Sequence, residues 1–378
     1  MNDSRVKTGL KSSWSLTADA WDGFLRWLDD GTDSGGQSYM EMRRRLVAYF
    51  DQKIMQPVRS MAGNARHFLI SPDGDLSHTP FEALVDEGNR FLVERFAFTY
   101  LSSGRELLRM KSKRDSVSPP LVVANPSFGD SPSASDGVAT ASRSKAARRS
   151  ITSVRALSDT YFAPLAATGA EAGSIQSLFS DAKVLSGNGA TETAVKQAVA
   201  PRLLHIATHG FFLQSAPQSS RPGGASRGGL PANTIENPLL RSGLAFAGAN
   251  RKSNSTDDGI LTALEASGLN LWGTKLVVLS ACDTGVGEVR NGEGVYGLRR
   301  SFQIAGAESL VMSLWPISDL VTRELMTGYY TNLKKGIGRG ESLRHVQLAM
   351  LKRPNRRHPF YWASFIQSGE WANLDGKR

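Results

Sequence analysis

The stretch from Lys275 to Ile317 constrains this chain more than any other. It reads as an apolar run (Leu276-Val277-Val278-Leu279), a cysteine at 282, a glycine-rich loop, a helix and a second apolar run. Short continuous apolar runs bounded by turn residues are the pattern of strands covered on both faces. A helix between two of them makes the strands parallel neighbours. Cys282 falls where the first run ends, and it is the only cysteine in the 378 residues. Upstream, Leu203-Leu204-His205-Ile206-Ala207-Thr208 is a similar run, and it delivers His209 and Gly210. Two strands that each end in one half of a nucleophile–base pair point to attack by sulfur.

A single cysteine excludes an internal disulfide and a thiolate-rich zinc site, and it fits a reducing compartment. No apolar run approaches the ~18 residues of a membrane span. The opening MNDSRVKTGLKSSW has no apolar signal core. The expectation is a cytoplasmic protein without membrane association. Lys and Arg number 45 against 35 Asp and Glu, a net charge of +10. Part of the excess clusters at Arg143, Lys145, Arg148, Arg149 and Arg155, and part at Lys352, Arg353, Arg356 and Arg357. Neither cluster carries the aromatic or groove-fitting partners of a nucleic-acid face. Both read as solvated surface, and no nucleic acid is expected.

In chain order, Trp14, Ala18, Trp21, Leu25 and Leu28 recur at helical spacing, and a second helix is expected from Tyr39 to Ile54, stopping before Pro57. Residues 1–60 thus read as a helical N-terminal segment, with an apolar face that packs on the main domain or docks a regulatory protein. From 67 the period changes. Strands are expected at His67–Ile70, Leu76–Thr79, Phe91–Val93 and Phe96–Leu101, a helix from Ser102 to Met110, and a strand at Leu121–Ala124. Residues 126–160 are rich in Ser, Ala, Gly and Arg and bury too little to order themselves. A β-α rhythm then resumes: helix 169–179, strand 183–185, helix 191–199 and the His209 strand. It implies parallel strands with helices on their faces. Residues 214–232 and 250–258 are polar again; between them Leu239–Ala247 reads as a strand. Helices follow at 262–267, 318–335 and 341–351, and Phe360–Gln367 reads as an edge strand.

A free cysteine is commonly a small buried hydrophobe. Cys282 differs in lying at the carboxyl end of a parallel strand, where open α/β sheets place their sites. It also sits among small residues (Ser280, Ala281, Thr284, Gly285) that let a peptide approach. His205 lies inside its strand and suits a core role, whereas His209 ends the strand. The imidazole would take the thiol proton and return it to the leaving amine. The backbone N–H groups of Cys282 and Gly210 would hold the oxyanion. No third, orienting residue stands out, so the pair reads as a dyad. Gly292-Glu293-Gly294-Val295-Tyr296-Gly297 matches G-x-G-x-x-G, with Asp319 about 20 residues on. The loop does not follow its strand directly, and Glu293 would repel a pyrophosphate, so the nucleotide reading is rejected. No cofactor and no metal is expected.

LHIATHGFF (204–212), LVVLSACDTG (276–285), GEGVYGLRRSF (292–302), AGA (305–307) and SLWPISD (313–319) closely resemble the CHAT domain. This is a caspase-like family of the clan that holds caspases, metacaspases, clostripain, gingipains and separase. FLISPDGDLSHTPFEAL (68–84), ATETAVKQA (190–198), GILTALEASGLNLWG (259–273) and HPFYWASFIQSGEW (358–371) match as well, so the likeness runs from about 65 to 371. It implies a three-layer α-β-α sandwich with a mainly parallel sheet over residues 61–378, with flexible insertions near 126–160 and 214–258. It also implies a cysteine endopeptidase whose catalytic residues are His209 and Cys282, both intact, acting on a protein substrate and latent until a partner or ligand activates it. The alternative is a catalytically idle CHAT scaffold. In the clan, the chain after the second strand lines the pocket for the residue before the scissile bond. That maps here to Trp315–Asp319, with Asp319 selecting Arg or Lys, or else capping the following helix. Asp283 is a second candidate. If the specificity is basic, the Arg-bearing segments 142–155 and 215–230 are expected sites of self-cleavage.

Overall fold

The computed structural model describes residues 47–112, 114–129, 161–213, 237–251, 257–281, 288–290, 294–315 and 317–377. The Trp14–Leu28 stripe, the basic segments 142–155 and 215–230, Cys282 and Asp283 lie outside these residues.

Eight strands form one sheet: β1 (His67–Ile70), β2 (Ala97–Tyr100), β3 (Leu121–Pro126), β4 (Lys183–Gly187), β5 (Leu203–Ala207), β9 (Leu276–Leu279), β12 (Ser309–Ser313) and β13 (Phe365–Gly369). Their order is β1-β2-β13-β12-β9-β5-β3-β4. The run β12-β9-β5-β3-β4 is parallel. β13, β2 and β1 are parallel to one another and meet that run at the antiparallel β12–β13 pair. Every residue of β5, β9 and β12 is buried, as their largely apolar runs implied, and His205, Ser309 and Ser313 are buried with them. A second, three-stranded antiparallel sheet holds β6 (Gly210–Phe212), β7 (Ser242–Ala245) and β8 (Ile260–Thr262). β10 (Glu288–Arg290) and β11 (Gly294–Tyr296) form a hairpin.

The helices complete a three-layer α-β-α sandwich. α1 (Gln56–Ala62), α2 (Glu106–Arg109), α3 (Ala166–Leu178), α4 (Glu192–Lys196), α5 (Ala263–Ala266), α6 (Leu298–Ile304), α7 (Asp319–Lys334), α8 (Arg339–Leu351) and α9 (Pro359–Trp362) follow in chain order. From β3 the chain steps outward to β4; from β9 it steps the other way to β12. Right-handed crossovers therefore put α3 and α6 on opposite faces. α3 packs on β3 and α7, and α6 packs on α5 and β12. The arrangement is the caspase-like α/β fold that the motifs implied. Strand order reverses between β3 and β5, which places a crevice at the carboxyl ends of the central strands.

Several local expectations fail for identifiable reasons. Residues 76–79 are not a strand: Asp73 Oδ1 accepts from Gly74 N–H (2.9 Å) and starts a 3-10 turn over Gly74–His78. Leu92–Glu94 is likewise a 3-10 turn, because Glu94 Oε1 caps the Phe91 N–H at 2.9 Å. Pro57 does not end the second N-terminal helix. A π-turn at Asp51–Met55 precedes it, and Pro57 sits in the first turn of α1, where no N–H is needed. Val47, Phe50 and Met55 from this helix join the main core. The 360–367 run is not an edge strand. β13 lies between β12 and β2, and its polar side chains are satisfied inside: Gln367 Oε1 accepts from Thr99 Oγ1, and Ser368 Oγ donates to the Tyr100 carbonyl, both at 2.9 Å.

Gly306, in the AGA motif, turns the chain from α6 into β12 at φ +114°. A Cβ there would stand 2.7 Å from Trp272 N and 2.9 Å from Trp272 Cα. Gly306→Ala is expected to lower the unfolding free energy by about 1–3 kcal/mol, since strain and backbone overlap act together. A urea midpoint equal to wild type would contradict this.

Candidate active site at the carboxyl rim of the sheet

Three neighbouring strands end together. Ile206 of β5 pairs with Leu279 of β9, and Leu279 pairs with Met312 of β12. Ser280 N–H donates to the Ile206 carbonyl at 2.9 Å, so the β5–β9 pairing continues past the named strand. The described chain then runs to Ala281, whose carbonyl accepts from Ser313 Oγ on β12. His209 stands three residues past Ile206, as Cys282 does past Leu279.

The chain leaves the main sheet at Thr208. Its hydroxyl donates to the Ala245 carbonyl, and Ala245 N–H returns a 2.9 Å bond to the His209 carbonyl. His209 thereby sits at the hinge between the two sheets. Gly210 pairs with Leu244, in the non-hydrogen-bonded step of the β6–β7 ladder between the bonded steps at His209/Ala245 and Leu213/Arg241. In that alternation the Gly210 N–H points away from β7, toward the open edge of β6.

The His209 ring is held on three sides. Nε2 lies 2.8 Å from the Ala163 carbonyl. Phe128 and Phe162 stack beside the ring, with centroids at 5.2 and 5.7 Å. A carbonyl can only accept, so Nε2 carries the proton and Nδ1 is left as the basic nitrogen. Burial pushes the imidazole pKa below its ordinary value, against smaller upward pulls from the Ala163 carbonyl and from Asp319. The base is therefore neutral, ready to accept a proton, at neutral pH. Ala163 is not recognisable as the orienting group from its residue type, because a backbone carbonyl has no side-chain signature.

His209, Ala281, Trp315 and Asp319 line one small cavity of about 40 Å³, with Thr208 and Glu171. Trp315 is a wall: it is buried, and its indole N–H donates to the Phe360 carbonyl at 3.0 Å. Asp319 is the first residue of α7, after the N-cap Ser318. Its pKa is raised by partial burial and then by Glu171, with His209 opposing.

Beneath the cavity lies a buried polar group that the sequence did not flag. Glu171 of α3 accepts from Ser280 Oγ (3.2 Å) and faces His205 Nε2 at 3.2 Å. The other ring nitrogen of His205 lies 2.9 Å from the Tyr330 hydroxyl on α7. His205 is thus the structural histidine, buried at 1% exposure. Glu171 ties the strand of His209 to the strand that leads to Cys282. Its only sequence signal is a carboxylate on the buried face of a helix otherwise built from small residues.

A cavity of about 770 Å³ opens at the opposite rim, around Trp272, Arg202, Lys275 and Glu308. It is far larger but stands at the amino ends of β5, β9 and β12. Its charges largely neutralise each other: Lys275 and Arg339 pair with Glu308 at 2.7 and 3.4 Å, and Arg202 with Asp375 at 3.4 Å. The convergence of groups, not volume, picks out the carboxyl rim. Among the described residues no cluster of three or more His, Cys, Asp or Glu could hold a metal ion, and no helix is long and apolar enough to cross a membrane.

The model of the CHAT domain matches residues 44–370. This chain belongs to the CHAT domain family. Among curated proteins, this CHAT chain is 24% identical over 330 residues to mouse (Mus musculus) Tetratricopeptide repeat protein 28 and 24% over 334 residues to the human (Homo sapiens) protein of that name. Each alignment covers 83% of the chain but 12% of the relative, so the chain spans about an eighth of their length. Among solved structures, the Saccharomyces cerevisiae separase–securin complex aligns with TM-score 0.45 and 11% identity, over 80% of this chain and 16% of that one. The Arg-specific cysteine proteinase gingipain R aligns with TM-score 0.45 and 10% identity, over 92% and 70%.

Proposed function

We propose that this CHAT domain is a cysteine endopeptidase working with a His209–Cys282 dyad. The observation that carries the reading is the His209 imidazole. It is fixed through Nε2 by the Ala163 carbonyl, with Nδ1 left basic, at the end of the strand that pairs with the strand leading to Cys282. In the reaction, His209 Nδ1 takes the Cys282 thiol proton and the thiolate attacks the scissile carbonyl carbon. The carbonyl oxygen becomes an oxyanion held by the N–H groups of Gly210 and Cys282. The tetrahedral intermediate collapses with the C–N bond breaking, and the imidazolium delivers its proton to the leaving amine. Water, deprotonated by His209, then cleaves the thioester and restores the thiol.

The partner is a protein substrate. The tetratricopeptide repeats in the relatives' name suggest that regulation comes from a helical-repeat protein or region, docking on the N-terminal helices. The test is proteome-wide mapping of new N-termini in cells carrying wild type or Cys282→Ala. N-termini that depend on the cysteine are expected. Identical N-termini, together with a phenotype kept by Cys282→Ala, would replace this reading with that of a scaffold.

We place Asp319 in the pocket for the residue before the scissile bond, selecting Arg or Lys. It lines the cavity with His209, and no Lys or Arg pairs with it among the described residues. On a peptide library, Asp319→Ala is expected to lose the basic preference by about 10–100-fold, the worth of one charge-assisted contact. An unchanged preference would reject the assignment.

A further inference from the structure

Two of the three groups that hold the His209 ring, the Phe162 ring and the Ala163 carbonyl, trace to one side-chain amide elsewhere in the chain. Asn250 lies after β7, in the middle of a short 3-10 turn over Ala249–Arg251. Its side chain grips the backbone of Phe162 with both arms. Oδ1 accepts from Phe162 N–H at 2.9 Å, and Nδ2 donates to the Phe162 carbonyl at 3.0 Å. Nδ2 also reaches the Gly129 carbonyl at 3.4 Å, and the Asn250 backbone N–H donates to the Phe128 carbonyl at 2.8 Å. An amide offers one acceptor and two donors in a plane, so it can stand in for a neighbouring strand and hold a chain that has none.

The held residues are those that touch His209. Phe128 and Phe162 stack on the ring and on each other, with their own centroids 5.9 Å apart. Ala163, bonded directly to Phe162, supplies the carbonyl at Nε2. Phe128, Phe162, Phe211, Leu213, Ala245 and Ala249 form a small apolar cluster separate from the main core. Residues 161–165 have no regular secondary structure to hold the Ala163 carbonyl in place. Among the described residues, what else locates that carbonyl is apolar packing, and packing is non-directional.

We propose that Asn250 is a positioning residue for the dyad. By clamping Phe162, its side chain holds the Ala163 carbonyl on Nε2 and so selects the His209 tautomer that leaves Nδ1 basic. This rests on the reading of His209 as the base, but it can fail separately. A tautomer and a titration are properties of the ring whether or not any peptide is cut.

The test is long-range 1H–15N NMR of the histidine ring nitrogens in the full chain, with His209 assigned by its loss in His209→Gln. Wild type is expected to show a single Nε2–H tautomer titrating below the ordinary value of ~6.5. Asn250→Ala should give a mixed tautomer population and a pKa moved back toward ~6.5. The charged group that pulls on the ring, Asp319 on α7, and Glu171 of α3 behind it in the cavity, are untouched. Asn250→Asp keeps the acceptor for Phe162 N–H but sets a carboxylate oxygen against the Phe162 carbonyl, so it too should give a mixed tautomer population. If Asn250→Ala does not fold, Asn250→Asp alone decides. With a cleaved peptide in hand, kcat should fall about 10–100-fold at constant KM, the cost of a misplaced catalytic group. A folded variant with the wild-type tautomer and titration would overturn the proposal. Changed NMR behaviour without peptide cleavage by either protein would keep the clamp and reject the peptidase.

Discussion

Cys282→Ala and His209→Ala are each expected to lower the proposed peptide cleavage by about 10⁴–10⁶-fold, and the double variant to be no worse than either single one. The non-additivity is the informative part. An imidazole without a thiol has no proton to take. A thiol without its base is a poor nucleophile below its own pKa. The two act as a unit, so removing one removes the value of the other. The measurement is kcat/KM on one substrate for all four proteins. Multiplying effects would mean that the residues act independently, and the dyad would be rejected. Neither variant is expected to lose more than about 1 kcal/mol of stability. His209 is half-buried, and its bond to Ala163 is one of several contacts at that hinge.

Arg339→Met unfolds the protein most readily of the changes considered, by about 3–5 kcal/mol. Arg339 opens α8 at 0% exposure. Its guanidinium donates to the carbonyls of Ala372 (2.8 Å), Asn373 (3.1 Å) and Lys275, and to Ser309 Oγ (3.1 Å), and it pairs with Glu308 at 3.4 Å. One side chain thereby ties the head of α8 to the segment after β13 and to the amino ends of β9 and β12. Burial lowers its pKa, with Glu308 opposing. Methionine fills similar volume but removes the guanidinium's charge-assisted bonds to three carbonyls, to Ser309 Oγ and to Glu308, each carbonyl and the carboxylate keeping one other donor. Arg339→Lys keeps the charge but lacks the planar fork, and should recover part of the loss. Guanidinium unfolding measures this, and a shift below about 1 kcal/mol would refute it. The site lies at the other rim, so activity well below the melting temperature should survive.

What the sequence disclosed follows from how much of each signal is carried by side chains. β5, β9 and β12 were legible because a strand covered on both faces is largely apolar, and theirs are, with His205, Ser309 and Ser313 the polar members. α3, α7 and α8 lie within three residues of the expected helices at 169–179, 318–335 and 341–351, although none carries a capping side chain. β13 was misplaced because Gln367 and Ser368 look like an edge, whereas each finds a buried partner from a distant strand or helix. The turns at 74–78 and 92–94 hinge on single carboxylate–amide bonds that no periodicity reveals. Within the site, His209 stood out by ending its strand. Ala163 could not, and neither could Asn250, whose partners are all backbone atoms far away in sequence.

The most direct measurement of the account uses the single cysteine. Alkylation of the full chain by iodoacetamide reports Cys282 alone, and its rate against pH reports the thiolate. With His209 as a neutral base, wild type should be alkylated faster than His209→Ala near pH 7, where the thiol is protonated, and the two rates should converge above the ordinary thiol pKa of ~8.5. Superimposable profiles for the two proteins would mean that sulfur and imidazole do not meet.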